Sequence, residues 1–297
     1  MHYLLLELII YYLMRPIKIM LKVFGVIVLI FLIVAGLFYF IYARPFLKKM
    51  EVTTIEHYDK DLTIVYGGGG NSGILVSDSV VLVIDTKMKK GADDLYKTVT
   101  GLAGKKPILV VNTHYHPDHT GGNSLYKGQT ILAGGNYTNE MWIKNADAES
   151  MPTKWVKDRM DVKIGGDTAT IFNLGRNIHT ESDVVVYLHK RKMLFSGDVI
   201  LNKQVPVLMG NADPEGYLKA FDLLPKQFDI QKVVPGHGKI GGTKLIDDFR
   251  QYFKAMKLAA YNGSKKDSIV EAYKDWSQIP FIMSPGATIS FIKDKSE

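Results

Sequence analysis

Residues 112–123 read Asn-Thr-His-Tyr-His-Pro-Asp-His-Thr-Gly-Gly-Asn, and they place three imidazoles and one carboxylate within six positions. The apolar run 108–111 directly before them is typical of a buried strand, which Pro117 prevents from continuing. The histidines are therefore expected on a loop at the end of a strand, where functional side chains are often carried.

These side chains have the composition of a metal site. Alternate residues of an extended chain project in the same direction, so His114 and His116 can hold one ion. The turn at Pro117 directs Asp118 and His119 toward a second ion nearby. Neutral imidazole and carboxylate oxygen suit zinc, with iron or manganese as alternatives. A polar loop whose histidines only cap a helix or face solvent is the competing interpretation, but it gives no reason for such clustering.

The composition excludes several classes of protein. The chain has 297 residues, 46% of them apolar, which is enough to build the core of one large domain or two small ones. Because it contains no cysteine, disulfides and thiolate metal sites are excluded. The net charge is +7, but residues 1–50 hold six basic residues against Glu7, so the other 247 residues hold only +2. No nucleic-acid partner is therefore expected.

Residues 23–43 form an uncharged apolar segment that is long enough to span a bilayer as a helix. Tyr39 and Tyr42 lie near one end, as aromatic side chains at membrane interfaces often do. No small-residue cleavage site follows, so this transmembrane helix is expected to be retained as an anchor. Residues 1–22 form a basic and apolar leader before it.

The protein is thus expected to be a single-pass membrane protein, with the lipid bilayer as a partner through residues 23–43. Three basic residues lie on each side of this segment, so their charge does not orient it. A short basic leader usually stays in the cytoplasm, which places the large domain outside the cytoplasmic membrane.

From about residue 52 the chain alternates short β-rich runs with amphipathic helices. Strands are predicted at residues 62–66, 73–77, 80–84, 108–111, 169–172, 184–188, 193–195 and 232–234, and helices at 92–102, 214–224 and 243–260. The first three strands are expected to form an antiparallel meander, and the glycine run 67–70 a flexible hairpin connection. This alternation predicts an α/β domain over residues 52–297, with two packed sheets covered by helices.

Three further polar residues each follow a β-rich run or lie at a turn. Asp198 follows the predicted strand 193–195, and His237 lies in a Pro-Gly-His-Gly turn after strand 232–234. His179 lies in the turn-rich segment before strand 184–188. Taken singly, each could be a helix cap, a turn residue or a satisfied loop histidine. Flanking glycines favour a functional role, because they let the backbone turn sharply and point the side chain inward.

The order of these residues resembles that of the metallo-β-lactamase superfamily of hydrolases. The motif His-x-His-x-Asp-His is followed by a histidine, an aspartate and the Pro-Gly-His-Gly turn, at gaps of 60, 19 and 39 residues. The resemblance covers roughly residues 52–262 and implies an αββα four-layer sandwich, with the site at one edge between the sheets. It also implies that the first metal is bound by His114, His116 and His179, the second by Asp118, His119 and His237, and both by Asp198, as in the glyoxalase II-like and lactonase-like branches.

Such a ligand set implies a hydrolase with two divalent metal ions, most simply Zn²⁺. Two ions a few ångströms apart lower the pKa of a shared water toward neutrality and generate hydroxide at ordinary pH. Asp118 is expected to be catalytic as well, by orienting that hydroxide or passing a proton to the leaving group. Asp85 and Asp183 are candidates for carboxylates behind the ligands. Asp85 either holds a ligand imidazole in its tautomer or caps a turn.

The substrate class stays open at this level. Lactamases that need a thiolate ligand are excluded, and all-His/Asp lactamases usually lack an aspartate where Asp198 stands. Nuclease branches carry a large insert or a basic arm, and neither is visible. We expect a small-molecule substrate with an ester, lactone, thioester or β-lactam-like amide bond. A phosphodiesterase and a non-catalytic metal-binding surface module are the alternatives. Residues 201–214 and 276–290 are expected to border the substrate pocket.

Overall fold

The computed structural model describes residues 2–135, 142, 150–277 and 283–295. The chain divides into two compact units, Met1–Lys48 and Lys49–Glu297. In the first unit, helix α1 (His2–Phe38) continues through a π-helical turn, Tyr39–Ala43. The stretch Met14–Ala43 has a mean hydropathy of 2.9 and is long and apolar enough to cross a membrane. A membrane anchor and a signal sequence both satisfy this criterion.

The second unit is built on two β-sheets. The larger sheet holds seven strands in chain order: β1 (Thr53–His57), β2 (Leu62–Gly67), β3 (Ser72–Val76), β4 (Val81–Ile84), β5 (Ile108–Asn112), β6 (Thr130–Gly134) and β7 (Lys154–Val156). Strands β1 to β4 pair antiparallel, and β4 to β7 pair parallel. The predicted antiparallel meander is therefore confirmed, and β1 extends it at the edge.

The smaller sheet has the strand order β12-β11-β10-β9-β8. Its strands are β8 (Arg159–Ile164), β9 (Asp167–Asn173), β10 (Val184–Leu188), β11 (Met193–Phe195) and β12 (Lys232–Val234). In this sheet only β11 and β12 pair parallel among the described strands, so the C-terminal ends of these two strands lie side by side. Four of the five strands lie where the sequence predicts them, and β8 was not predicted.

Helix α2 (Arg44–Glu51) runs across the boundary between the two units along the chain. Six more helices follow in the described part of the second unit: α3 (Lys89–Ala103), α4 (Pro117–Thr120), α5 (Pro214–Gln227), α6 (Lys244–Tyr261), α7 (Lys266–Ala272) and α8 (Pro285–Asp294). Helix α5 begins where the Asp213 side chain accepts a hydrogen bond from the Glu215 backbone, with a proline at the first helical position. Helix α6 buries one apolar face, which includes Leu245, Phe249, Phe253 and Met256. The observed ends of the three predicted helices differ from the predicted ends by at most three residues.

Alternate side chains of the central strands point into two different cores. Ile84 and Val111 of the larger sheet pack against Val186 of the smaller one, in the core between the sheets. The opposite face of the larger sheet is covered by α3, and on the outer side of the smaller sheet Tyr187 stacks on Phe228, directly after α5. The layers therefore run helix, sheet, sheet, helix, which confirms the predicted αββα sandwich.

The expectation of a flexible connection at residues 67–70 is wrong. Gly68, Gly69 and Gly70 are buried, and the backbone of this turn accepts hydrogen bonds from the Lys87 ammonium and the Met88 amide. A Cβ at Gly70 would lie only 2.3 Å from Cε1 of His119. Close packing of the backbone, rather than mobility, requires glycine here.

Candidate metal centre

The seven residues predicted as ligands meet at one edge of the sandwich. His114 and His116 follow β5 directly, and Pro117 then opens the short helix α4, which carries Asp118 and His119. His179 lies in the β9–β10 loop, Asp198 lies in a 3₁₀ turn after β11, and His237 follows β12. Strand ends from both sheets therefore supply the cluster.

His114, His116 and His179 form the first triad. Nδ1 of His116 lies 3.0 Å from Nε2 of His114 and 2.9 Å from Nε2 of His179. The three donor atoms lie within 4.8 Å of one another, as a single bound ion requires. This arrangement matches the predicted first metal subsite.

Asp118, His119 and His237 form the second triad, again with their donor atoms within 4.8 Å of one another. Oδ2 of Asp118 lies 3.1 Å from Nε2 of His237 and 3.6 Å from Nε2 of His119. One carboxylate oxygen and two imidazole nitrogens thus converge on one point, which matches the predicted second subsite.

Asp198 lies between the two triads. Its Oδ1 is 3.2 Å from Nε2 of His119 and 3.5 Å from Nε2 of His237, whereas its Oδ2 is 3.6 Å from Nε2 of His179. A Cβ at Gly236 would lie 2.0 Å from Oδ1, so glycine in the Pro-Gly-His-Gly turn leaves the room that this carboxylate occupies. Each oxygen of Asp198 therefore faces a different triad.

The donor set fits metal ions of zinc size. Ligand atoms at 2.0–2.1 Å from a tetrahedral ion are about 3.3 Å apart, close to the separations within both triads. Nε2 of His119 and Oδ1 of Asp198 are buried, and neither has a hydrogen-bond partner in the described part of the chain. Buried polar atoms are rarely left unpaired, and a shared ion would satisfy both.

The two triads differ in charge when no metal is bound. Burial lowers the pKa of His114 well below its usual range and that of His179 to about 3, so both imidazoles are neutral donors. Burial also opposes charge on His237, but Asp198 and Asp118 raise its pKa to about 9. Metal binding at the second triad must therefore displace a proton.

Asp85 is in direct contact with a predicted ligand. It accepts hydrogen bonds from the Thr113 amide at 2.7 Å and the Thr113 hydroxyl at 2.8 Å. Its Oδ2 also lies 2.7 Å from Nδ1 of His119. This contact turns Nε2 of His119 toward Asp118 and Asp198. The geometry favours the tautomer-holding role over simple capping of a turn.

Asp183 acts through the backbone instead. Its carboxylate accepts hydrogen bonds from the amides of His179 and Thr180 and from the Thr180 hydroxyl, which closes the turn that presents His179. Burial raises the pKa of Asp183 to about 7. Asp183 thus shapes the loop and does not contact the imidazole through these bonds.

Tyr217 was missed by the sequence analysis. Its phenol oxygen lies 2.9 Å from Nδ1 of His179 and 3.4 Å from the Asp198 backbone carbonyl, to which it donates. In the sequence it belongs to the buried stripe of α5, with Ala220, Phe221 and Leu224, and so looks like an ordinary core residue. The signal in the sequence that could have identified it was a single hydroxyl within an otherwise apolar stripe.

One side of the cluster is open to solvent. His116, Asp118 and His237 are half-buried, whereas His114 and His119 are completely buried. A substrate would therefore approach from the side of the half-buried ligands. His57 and His189, which match no motif, lie on the surface.

The structure describes much of the two segments that were expected to border the substrate pocket, residues 201–214 and 276–290. Within residues 201–214, the Asn202 amide donates to the His237 carbonyl, and the Asn211 side chain donates to Glu181. Glu181 also accepts a hydrogen bond of 2.9 Å from the Tyr115 hydroxyl, beside His116. Trp276 instead stacks on aromatic side chains of α6. Residues 278–282 lie outside the described part of the chain.

Several known proteins are similar to this chain in sequence, and solved structures are similar to it in fold. A metallo-beta-lactamase type 2 of Bacteroides fragilis is 26% identical over 187 residues, which is 61% of this chain and 74% of that protein. An acyl-coenzyme A thioesterase of Gallus gallus is 22% identical over 198 residues, or 56% of this chain and 71% of that protein. The solved structure of a metallo-beta-lactamase from Pontibacter korlensis matches with a TM-score of 0.59 at 23% identity, covering 68% of this chain and 99% of that one.

Family membership rests on a match that covers more than half of the sequence. Residues 65–237, more than half of the chain, match the family model of the metallo-beta-lactamase superfamily. That range includes every residue of both triads and Asp198. The chain therefore belongs to the metallo-β-lactamase superfamily.

Proposed function

We propose that this protein is a membrane-anchored hydrolase that binds two zinc ions and cleaves an ester, lactone, thioester or β-lactam-like amide. The observation that carries the proposal is the position of Asp198, which presents one oxygen to each triad. A carboxylate in that position could serve as a ligand to an ion held by either triad, and its negative charge would offset the positive charge of both.

The chain's own residues divide the work of hydrolysis. When bound, the two ions would supply an activated water and polarise the scissile carbonyl. Asp118 is half-buried on the open side of the cluster, so it can orient the attacking water and pass a proton to the leaving group. In the metal-free protein, His119 and His237 lower the pKa of Asp118 despite its burial, so this carboxylate is already ionised when a metal ion binds.

The comparisons support a hydrolase and leave the substrate open. The similar proteins include metallo-beta-lactamases at 26% and 29% identity and an acyl-coenzyme A thioesterase at 22%. The cysteine-free ligand set and the bridging position of Asp198 favour the ester, lactone and thioester bonds over the lactam.

The experiment combines metal analysis with a substrate panel. We would purify the full chain in detergent, measure bound zinc, and assay nitrophenyl esters, lactones, acyl thioesters, nitrocefin and a phosphodiester. Two zinc ions per chain and turnover of a carbonyl substrate are expected. Turnover of the phosphodiester alone would establish a phosphodiesterase instead. Two bound ions without any turnover would leave a metal-binding module.

We also propose that the long apolar helix anchors the enzyme with its catalytic domain outside the cytoplasmic membrane. The absence of cysteine allows a direct test, because an introduced thiol would be the only one in the chain. In Lys226→Cys, an exposed position of α5, labelling of intact cells by a membrane-impermeant maleimide is expected. Labelling only after lysis would place the domain in the cytoplasm.

A further inference from the structure

We propose that Lys87 is a positioning residue of the second metal subsite and acts through the β2–β3 loop, residues 67–71. The inference rests on the proposed two-metal site and concerns a residue outside both triads. The loop is hydrogen-bonded to the segment that carries Asp118 and His119 and to the segment that carries His237. The Lys87 ammonium is hydrogen-bonded to the loop in turn.

The Lys87 side chain is completely buried and is used as a hydrogen-bond donor to the backbone. Its Nζ donates to the carbonyls of Val65 at 2.9 Å, Gly67 at 2.6 Å and Gly70 at 2.7 Å. An ammonium group has three donors, and here each has a partner. Burying a cation is costly unless it is hydrogen-bonded. The loop conformation that supplies these carbonyls is therefore stabilised over conformations that do not.

The backbone around Lys87 is strained. Asp85, Lys87 and Lys89 have φ of 59°, 62° and 48°, in the left-handed region that favours glycine. Such a backbone conformation is unfavourable for a residue with a Cβ, and this kind of strain collects at functional sites. Glycine would relieve the strain at position 87, so any advantage of lysine there must come from its side chain.

The β2–β3 loop contacts both segments of the second triad. The Gly70 amide donates to the Asp118 carbonyl at 2.9 Å, and a Cβ at Gly70 would clash with the His119 ring. The next residue, Asn71, donates from its backbone amide to the Gly236 carbonyl at 2.7 Å. Its side-chain Nδ2 donates to the carbonyls of Pro235 at 2.8 Å and Gly238 at 2.7 Å, on either side of His237.

The first triad has a different support. His179 is held by Asp183 through its backbone and by Tyr217 through its ring. Loss of the Lys87 ammonium should therefore loosen one subsite and spare the other. Substituting a residue that supports a metal ligand commonly weakens metal binding by about 10- to 100-fold.

The test uses the full chain in detergent and compares wild type with Lys87→Met, which keeps most of the side-chain length without the ammonium. Lys89→Met is the matched control, since Lys89 has the same backbone conformation but is exposed. Cobalt(II) is titrated into each metal-free protein, and the two ions are followed separately by their visible absorption. We expect the first ion to bind all three proteins equally, and the second to bind Lys87→Met at least 10-fold more weakly.

Three outcomes would overturn the inference. If wild type binds fewer than two ions, the two-metal proposal and this one both fail. If wild type and Lys87→Met both bind two ions with equal affinities, only the role of Lys87 fails. If Lys87→Met loses both ions together, the residue is merely structural.

A second variant covers the case in which Lys87→Met does not fold. Asn71→Ala leaves Lys87 in place and removes the two side-chain hydrogen bonds to the His237 turn. Selective weakening of the second ion is again expected. Wild-type affinity for both ions in Asn71→Ala would show that the loop does not hold the subsite, and the inference would fall.

Discussion

His179 and Tyr217 are joined by a hydrogen bond of 2.9 Å between the imidazole Nδ1 and the phenol oxygen. Because the phenol donates onward to the Asp198 carbonyl, it accepts from Nδ1, and Nε2 of His179 is left as the metal donor. The bond links a ligand of the first triad to the backbone of the residue between the triads.

Removing this hydroxyl should weaken metal binding without unfolding the protein. In Tyr217→Phe, the His179 ring loses its orienting partner, and we expect zinc to bind the first subsite about 10-fold more weakly. Competition with a chromophoric chelator measures this affinity. Tyr252→Phe is the matched control, a buried tyrosine bonded to Thr288. Equal zinc affinity in the two variants would contradict the prediction.

Asp198→Ala should lose the second ion and nearly all hydrolysis. The substitution removes both oxygens that face the triads, leaving the positive charges of two ions unshielded. Metal analysis and turnover of the best panel substrate measure the two effects. Asp229→Ala provides the control, since Asp229 is a surface partner of Lys192. An Asp198→Ala protein that kept two ions and full turnover would rule out the assignment.

Asp85→Asn should disturb His119 selectively. The carboxylate accepts three hydrogen bonds, and an amide must present a donor to one of those partners. An unsatisfied buried group costs about 1–3 kcal/mol, so a lower thermal midpoint is expected together with weaker binding of the second ion. Asp93→Asn, at an exposed position of α3, should change neither. Wild-type stability and affinity in Asp85→Asn would show that its carboxylate is only a turn cap.

Acid should weaken the bond between Asp59 and Arg191. The Arg191 guanidinium donates two hydrogen bonds to Asp59 and lowers the pKa of that carboxyl from 3.8 to about 2. A lowered pKa in the folded state contributes stability above pH 3.8, and that contribution is lost as the pH falls from 3.8 toward 2.

The difference in thermal midpoint between wild type and Asp59→Asn reports this contribution. At pH 7 wild type should be more stable by about 1 kcal/mol or less, because Asp59 is partly exposed. At pH 2 the two proteins should unfold at nearly the same temperature. A difference that persisted unchanged to pH 2 would exclude the ionised Asp59 as its source.

Much of the fold follows from local patterns. Strands β2 to β5 and β9 to β12 are short apolar runs bounded by turn residues, so their positions could be predicted. Strands β1, β6, β7 and β8 were not predicted; β7 has only three residues, and β8 alternates charged with apolar side chains. Pairing with neighbouring strands decides such segments, because their own composition is compatible with a loop.

The sequence by itself determined the candidate ligands, because clustered imidazoles at strand ends carry a local signal. Whether these residues bind metal stays a prediction. Only the tertiary structure decided which carboxylate supports which ligand, and it separated Asp85, which touches His119, from Asp183, which closes a turn. It also revealed Tyr217 and Lys87. Their roles depend on partners 17 to 38 residues away in the chain, and no local pattern encodes a contact made only on folding.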